Sequence, residues 1–219
     1  MEEDYEHTVT IQALRRIPYY IQQLRMLQSE NIETVSAPKI AELLNLNEIQ
    51  VRKDFASINT SKGKPKAGFC VKELLMNMEV LLGYHSADEA VLVGAGSLAH
   101  AILAYEGFQN YGLQIVTAFD INAAYIGTEI SGIKVLSADK ISNLCRRMKV
   151  HIGIITVPAA QAQVVCDQLV AGGVLAIWNF APVYLSVPDG ILVQNENLAA
   201  SLAVLSKHLR DAMKRVHGI

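Results

Sequence analysis

The chain has 219 residues, enough for two modest domains or one large one, and 51% of them are apolar, so a packed core is available. Its longest apolar runs, such as "VLAIW", fall far short of the roughly 18–20 residues that span a bilayer. The acidic, polar start "MEEDYEHTVT" is wrong for a signal peptide, so a soluble cytoplasmic protein is expected. The net charge of −2 hides a basic stretch: residues 15–72 hold ten Lys/Arg against five acids, which suits a polyanionic partner but also occurs on ordinary solvated surfaces.

Residues 1–84 read as a first domain, helical and then wing-like. Pro18 fits a first helical turn, with Ile21, Leu24 and Leu27 following at helical spacing. Ser36 is a good N-cap for "APKIAELL", whose Ile40, Leu43 and Leu44 form an apolar face. After the short turn Asn45–Asn47, "NEIQVRKDFA" starts on Asn47 as cap, with Gln50 three places on. Two short helices joined this way make a candidate helix-turn-helix. "SINTSKGKPKAGFCV", rich in Lys, Gly and Pro, reads as a hairpin or loop, and "VKELLMNMEVLLG" as a further amphipathic helix ending at Gly83.

At about 100° per residue, Val51 and Phe55 share the core face of the second helix, Ile49, Lys53 and Ser57 point away, and Gln50 and Arg52 flank them. Such a face can enter a major groove. Arg or Lys reaches guanine O6/N7, Gln reaches adenine, and Ile packs on a thymine methyl. Gln50 can instead be held by its own cap. Arg16, Ser36 with its helix N-terminus, and Lys62, Lys64 and Lys66 on the wing are candidate backbone contacts. A small interaction domain with a basic, solvated face is the plainer reading.

From residue 85 to 194 the pattern alternates strand and helix. Expected strands are 90–93, 113–119, 151–156, 174–179 and 191–194, apolar throughout, as in a parallel sheet buried on both faces. In residues 195–219 a long helix carries Leu198, Leu202, Leu205, Leu209, Met213 and Val216 at spacings of three and four, more apolar face than its own sheet requires. The fold class is thus α/β: an N-terminal winged helix-turn-helix, a doubly wound parallel sheet of Rossmann type, and a C-terminal helix.

The first strand runs into Gly94, Ala95, Gly96, Ser97, Leu98 and Ala99, a G-x-G-x-x-A turn. The first glycine permits the turn, the second lets a pyrophosphate approach, and Ala99 lets helix and strand pack closely; the helix N-terminus faces the phosphates. Asp120 stands 24 residues after Gly96, at the end of the next strand, where a carboxylate accepts a ribose diol and repels a 2′-phosphate. NAD(H) is therefore expected over NADP(H). "TVPA", with Thr156, Val157 and Pro158, and "NFAP", with Phe180, Ala181 and Pro182, fall at strand ends where they can line a cofactor but move no proton.

No His/Asp or Tyr/Lys pair is placed as a proton relay, and 219 residues leave no room for a substrate domain, so no catalytic residue is assigned. Cys70, Cys145 and Cys166 are scattered without metal-ligand spacing and read as reduced structural thiols, so no metal is expected. A sensor is favoured over the alternative, a small NAD-dependent oxidoreductase with an N-terminal helical dimerisation domain. A nucleotide-binding module using its basic domain on a protein partner is the third option.

"RIPYYIQQL", "VSAPKIAELLNLNEIQVRKDF", "VLVGAGSLAHAILAY", "IGTEISGIKV", "TVPAAQAQ" and "WNFAPVYLSVPDGILVQNENLAASLAVLS" together resemble the redox-sensing transcriptional repressors of the Rex family, over nearly the whole chain. The resemblance implies a homodimer with winged-helix domains on an inverted-repeat operator in double-stranded DNA. It further implies a Rossmann domain for NADH or NAD⁺, a C-terminal helix exchanged between subunits, and repression of respiratory or fermentative genes relieved when NADH rises. By the same resemblance Arg52 and Lys53 are operator contacts, Gly94 to Ala99 and Asp120 hold the dinucleotide, and Tyr105 lies on the nicotinamide side. Three positions depart from the family pattern: Ala99 replaces a glycine, the wing is lysine-based and about one residue longer, and Asn197 stands where an acid is common.

Overall fold

The computed structural model describes residues 9–58, 68–86 and 88–217, in two compact units, Met1–Ser86 and Ala87–Ile219. Lys62, Lys64 and Lys66, expected on the wing, lie outside the described residues.

The first unit is built on α1 (Ile11–Ser29), which starts where the Thr10 side chain accepts from Ala13 N at 3.2 Å. Ile17, Tyr20, Ile21 and Leu24, spaced by one turn, are buried along it. Pro18 is not in the first turn as its sequence context suggests, but is the eighth residue of this helix. The start signal was Thr10. Pro18 has no N–H to donate to the Leu14 carbonyl, at a cost of about 3 kcal/mol that the buried turns on either side offset. Strand β1 (Thr34–Val35) precedes α2 (Ala37–Leu44), which Ser36 caps by accepting from Lys39 N at 3.3 Å. The buried face of α2 is Ala37, Ile40 and Ala41; Leu43 is 44% exposed, a correction to the expected stripe. Helix α3 (Glu48–Ile58) follows, its first N–H groups held by Asn47 Oδ1 at 2.9 and 3.4 Å. Strand β2 (Phe69–Cys70) pairs antiparallel with β1, and α4 (Val71–Leu81) closes the core. Phe55 sits at its centre, edge-on to Tyr20 (5.3 Å) and Phe69 (5.2 Å).

The second unit is a seven-stranded sheet. In chain order its elements are β3 (Asp88–Val93), α5 (Ser97–Leu103), a 3₁₀ turn (Glu106–Tyr111), β4 (Leu113–Asp120), β5 (Glu129–Ile130), β6 (Ile133–Ser137), α6 (Ile141–Met148), β7 (Ile152–Ile155), α7 (Ala159–Ala171), β8 (Ala176–Asn179), β9 (Leu192–Asn195) and α8 (Leu198–His217). The spatial order is β5-β6-β4-β3-β7-β8-β9, with every pairing parallel except β5 with β6. The direction of winding reverses between β3 and β7, so the crevice beyond their carboxyl ends is where such a sheet takes a ligand. Buried apolar clusters cover both faces, as the continuous apolar runs of β3 and β7 require. The hairpin β5–β6 was absent from the expected strands. Its signal is "EISGIKV", in which Ser131 and Gly132 both take positive φ (51° and 77°), the geometry of a two-residue hairpin turn.

Candidate functional site

At the crevice, Gly94 follows β3 with φ 104°, and a Cβ there would lie 2.9 Å from both the carbonyl oxygen and the hydroxyl of Thr156. Gly94 N donates to Phe119 O (2.8 Å) and Thr156 N to Val93 O (2.9 Å), so the turn is laced to both neighbouring strands. Only glycine fits there. Gly96 is different: a Cβ on it would meet nothing within 4 Å. Among the described residues no protein atom requires a glycine at 96, and the space its missing side chain leaves open is the approach to the first turn of α5. Gly96, Ser97 and Leu98 are exposed on that approach, while Ala95 and Ala99 are fully buried. The methyl of Ala99 is absorbed in the core with Ala118 and Ile154, so the departure from glycine leaves the turn intact.

Asp120 ends β4 half-buried. Its Oδ2 accepts from Ala95 N at 2.6 Å and its Oδ1 from Asn122 N at 2.7 Å. The carboxylate thus anchors the glycine turn while each oxygen keeps a lone pair for a ribose hydroxyl. A cleft of about 220 Å³ is bounded by Gly94, Ala95 and Gly96, Asp120, Ile121, Asn122, Tyr125, and Thr156, Val157 and Pro158, whereas Ser97, Leu98 and Ala99 do not line it. These residues fit a dinucleotide: open space before a helix N-terminus, a carboxylate at the ribose position and apolar walls. Ile121, Asn122, Tyr125 and Gln161, which also lines the cleft, were missed from sequence. Their signal is position alone, just past the strand end that carries Asp120 or at the start of α7.

Tyr105, Phe180, Ala181 and Pro182 do not line that cleft. Tyr105 and Phe180 instead end a chain of four rings: Tyr105 to Phe108 (4.9 Å), Phe108 to Trp178 (5.7 Å), Trp178 to Phe180 (4.8 Å). The loop holding Ala181 and Pro182 is shaped by Asn179, which is fully buried. Its Nδ2 donates to Val183 O (2.8 Å) and Asn195 Oδ1 (2.9 Å), and its Oδ1 accepts from Ala181 N (3.0 Å). Asn197 caps α8 by accepting from Ala200 N at 3.1 Å, and the neighbouring acid Glu196 accepts from Trp178 Nε1 at 3.2 Å. A larger hollow of about 800 Å³, lined in part by Tyr105 and Phe108, reaches the first residues of β4 and β6. That is the wrong end of the strands for the ligand of such a sheet.

In the first unit α3 buries Val51, Asp54, Phe55 and Ile58 and exposes Ile49, Gln50, Arg52 and Lys53. Arg52 is paired with Glu48 on its own helix. Among the described residues Lys53 has no hydrogen bond or ion pair. The Ser57 hydroxyl donates to Asp54 O at 2.8 Å. Arg16 is not a loose surface cation: its Nε and Nη2 grip the two oxygens of Asp54 at 2.8 and 2.9 Å, and Tyr20 donates to the same carboxylate at 2.7 Å. Asp54 holds the Arg16 pKa above its ordinary value, and burial, then Asp54, pushes the Tyr20 phenol up. Gln50 does not reach back to its cap. The end of its amide that faces the guanidinium is assigned as the oxygen, because a guanidinium only donates, and so placed it accepts from Arg16 Nη1 at 2.9 Å. Cys145 and Cys166 are buried and Cys70 is exposed. Burial pushes the Cys145 thiol up to about 11, as expected for a structural thiol.

Residues 85–183 match the family described as CoA binding domain, and residues 9–56 the family described as putative DNA-binding protein N-terminus. The redox-sensing transcriptional repressor Rex of Bacteroides fragilis is 38% identical over 197 residues, covering 90% of this chain and 89% of that protein. The crystal structure of RSP in complex with β-NAD⁺ and operator DNA superposes with a TM-score of 0.86 at 31% identity, covering 96% of this chain and 97% of that one. RSP, a Rex-family repressor, in complex with β-NADH gives 0.82 at 31% identity, covering 95% and 99%. With a donor-bearing helix-turn-helix in one unit, a glycine-turn crevice in the other and this likeness along both, the chain belongs to the Rex family of redox-sensing transcriptional repressors.

Proposed function

We propose that this chain is a transcriptional repressor that binds operator DNA through α3 and leaves it when the cytoplasmic NADH/NAD⁺ ratio rises. The carrying observation is the pairing of Gly96, which no described protein atom requires to be glycine, with Asp120, bound to the neighbouring Ala95 N and lining the same cleft. The relatives are named as repressors, which sets the oxidoreductase reading aside. No described helix is long and apolar enough to cross a membrane.

Backbone N–H groups from Gly96 to Leu98 face the pyrophosphate, those of Gly94 and Ala95 being given to Phe119 O and Asp120 Oδ2 to shape the turn. Asp120 holds the adenosine ribose, and Thr156, Val157 and Pro158 wall the cleft. Phe180, Ala181 and Pro182, past the carboxyl end of β8, serve the nicotinamide side, and Tyr105, which the family likeness puts there, connects to them through the row of rings. The oxidised and reduced dinucleotides differ by one positive charge and by ring shape. An apolar wall disfavours the charged ring, so these residues favour the reduced form. Lys53 and Arg52 reach bases, with Ile49 on a thymine methyl. Ser57, and Ser36 with the N-terminus of α2, sit against backbone phosphates, as do Lys62, Lys64 and Lys66, which are outside the described residues. Arg16 positions α3 through Asp54.

Leu202, Leu205, Leu209 and Met213 of α8 are each more than half exposed within one chain. A second copy covers this stripe, and the resulting homodimer sets the spacing of two α3 helices on an inverted repeat. Differential affinity of a few kcal/mol between two spacings is enough to switch it. The test is a gel shift on the operator duplex. Operator binding should fall as NADH is added and far less with NADPH; equal binding with and without saturating NADH rejects the switch.

A further inference from the structure

Gln50 is exposed on α3, yet its amide is not at liberty. Arg16 reaches it from α1 after gripping Asp54, which is 6% exposed. A guanidinium carries donors and no acceptor, so the amide can meet it only through its oxygen. That oxygen accepts from Arg16 Nη1 at 2.9 Å and from Nη2 at 3.3 Å. Both of its lone pairs are then taken, and only the NH₂ group remains to meet a partner. Arg16 is itself fixed from the other side, because Tyr20, fully buried, donates to the same Asp54 carboxylate at 2.7 Å.

Resting on the reading that α3 enters a major groove, we propose that Arg16, acting through Gln50, sets the base preference of this helix. Glutamine ordinarily reads adenine with both ends of its amide, donating to N7 and accepting from N6. Here the accepting end is occupied. Residue 50 presents donors alone, and the base edge that answers two donors is guanine, with O6 and N7 both acceptors; thymine O4 offers one. Arg16 is thus a positioning residue for specificity: it touches no base, and its loss changes which base is chosen.

The experiment presents the full chain with a library of duplexes randomised at their centre and sequences the bound fraction. Gln50→Ala, Gln50→Glu and Arg16→Met are run alongside. The position whose preference Gln50→Ala flattens is the base read by residue 50. There the wild type should favour guanine over adenine by about tenfold. Gln50→Glu keeps an acceptor for Arg16 but has no donor, so guanine preference should vanish at that position and persist elsewhere. Arg16→Met frees the amide oxygen, and adenine should rise to at least parity with guanine. Should that variant unfold for want of a partner to Asp54, the wild-type profile and Gln50→Glu still decide. Adenine preferred by the wild type at that position, or no position flattened by Gln50→Ala, overturns the inference and leaves the repressor reading standing. Failure of the wild type to enrich any duplex overturns both.

Discussion

Asp120 does two things with one side chain. It binds Ala95 N and Asn122 N, which fixes the glycine turn relative to β4, and in the function proposed above it also accepts from a ribose hydroxyl. Asp120→Ala should therefore weaken NADH binding at least about tenfold, by the loss of charge-assisted hydrogen bonds, and leave operator binding without cofactor unchanged. Calorimetric titration with NADH and a gel shift check the two halves. Lys53→Ala should do the reverse. The cysteines give a second residue-scale test. The thiolate is the reactive form, and burial keeps Cys145 and Cys166 protonated, so a thiol reagent at mild pH should label Cys70 alone in the native state and all three on unfolding. At this scale the sequence announces residues whose neighbours are near in the chain. Ser36, Asn47 and the glycine turn were legible because a cap or a turn is local. The grip of Arg16 on Asp54 was not, because it joins residues 38 apart and a count of charges cannot tell a paired cation from a solvated one.

Two glycines of the same turn separate folding from binding. Gly94→Ala brings a Cβ to 2.9 Å from Thr156 and strains a backbone at φ 104°, so it should cost about 2 kcal/mol and lower the melting temperature. Gly96→Ala meets open space and should leave the melting temperature alone while weakening NADH binding. Melting followed with and without NADH distinguishes them. The strands were readable where both faces are buried, as in β3, β4, β7 and β8, because an unbroken apolar run has no other use at that length. The pair β5 and β6 escaped because two and five residues at a sheet edge carry no such run, and their turn chemistry was the better clue. Pro18 misled for a different reason. Proline at a helix start is a statistical habit, and a long helix packed on several sides tolerates one inside.

At the scale of the whole molecule, the exposed stripe of α8 and the switch belong to one question. Charged substitutions at Leu205 and Leu209 should convert a dimer into a monomer by light scattering and abolish operator binding, with NADH binding retained because the crevice lies within one chain. Operator affinity should also fall steeply with salt, by a slope of about −0.9 per neutralised phosphate, and the lysines of residues 59–67 can be counted by how much the slope drops on their removal.

The chain has a single tryptophan, Trp178, set between Phe108 and Phe180 in the row of rings that ends at Tyr105. Its indole emission, excited to the red of where the chain's eight tyrosines absorb, therefore comes from one spot, beside the loop that Asn179 shapes, and overlaps the absorption of a reduced nicotinamide. Excitation energy should pass from that indole to bound NADH and not to bound NAD⁺, so that this repressor carries an unlabelled optical gauge of its own occupancy.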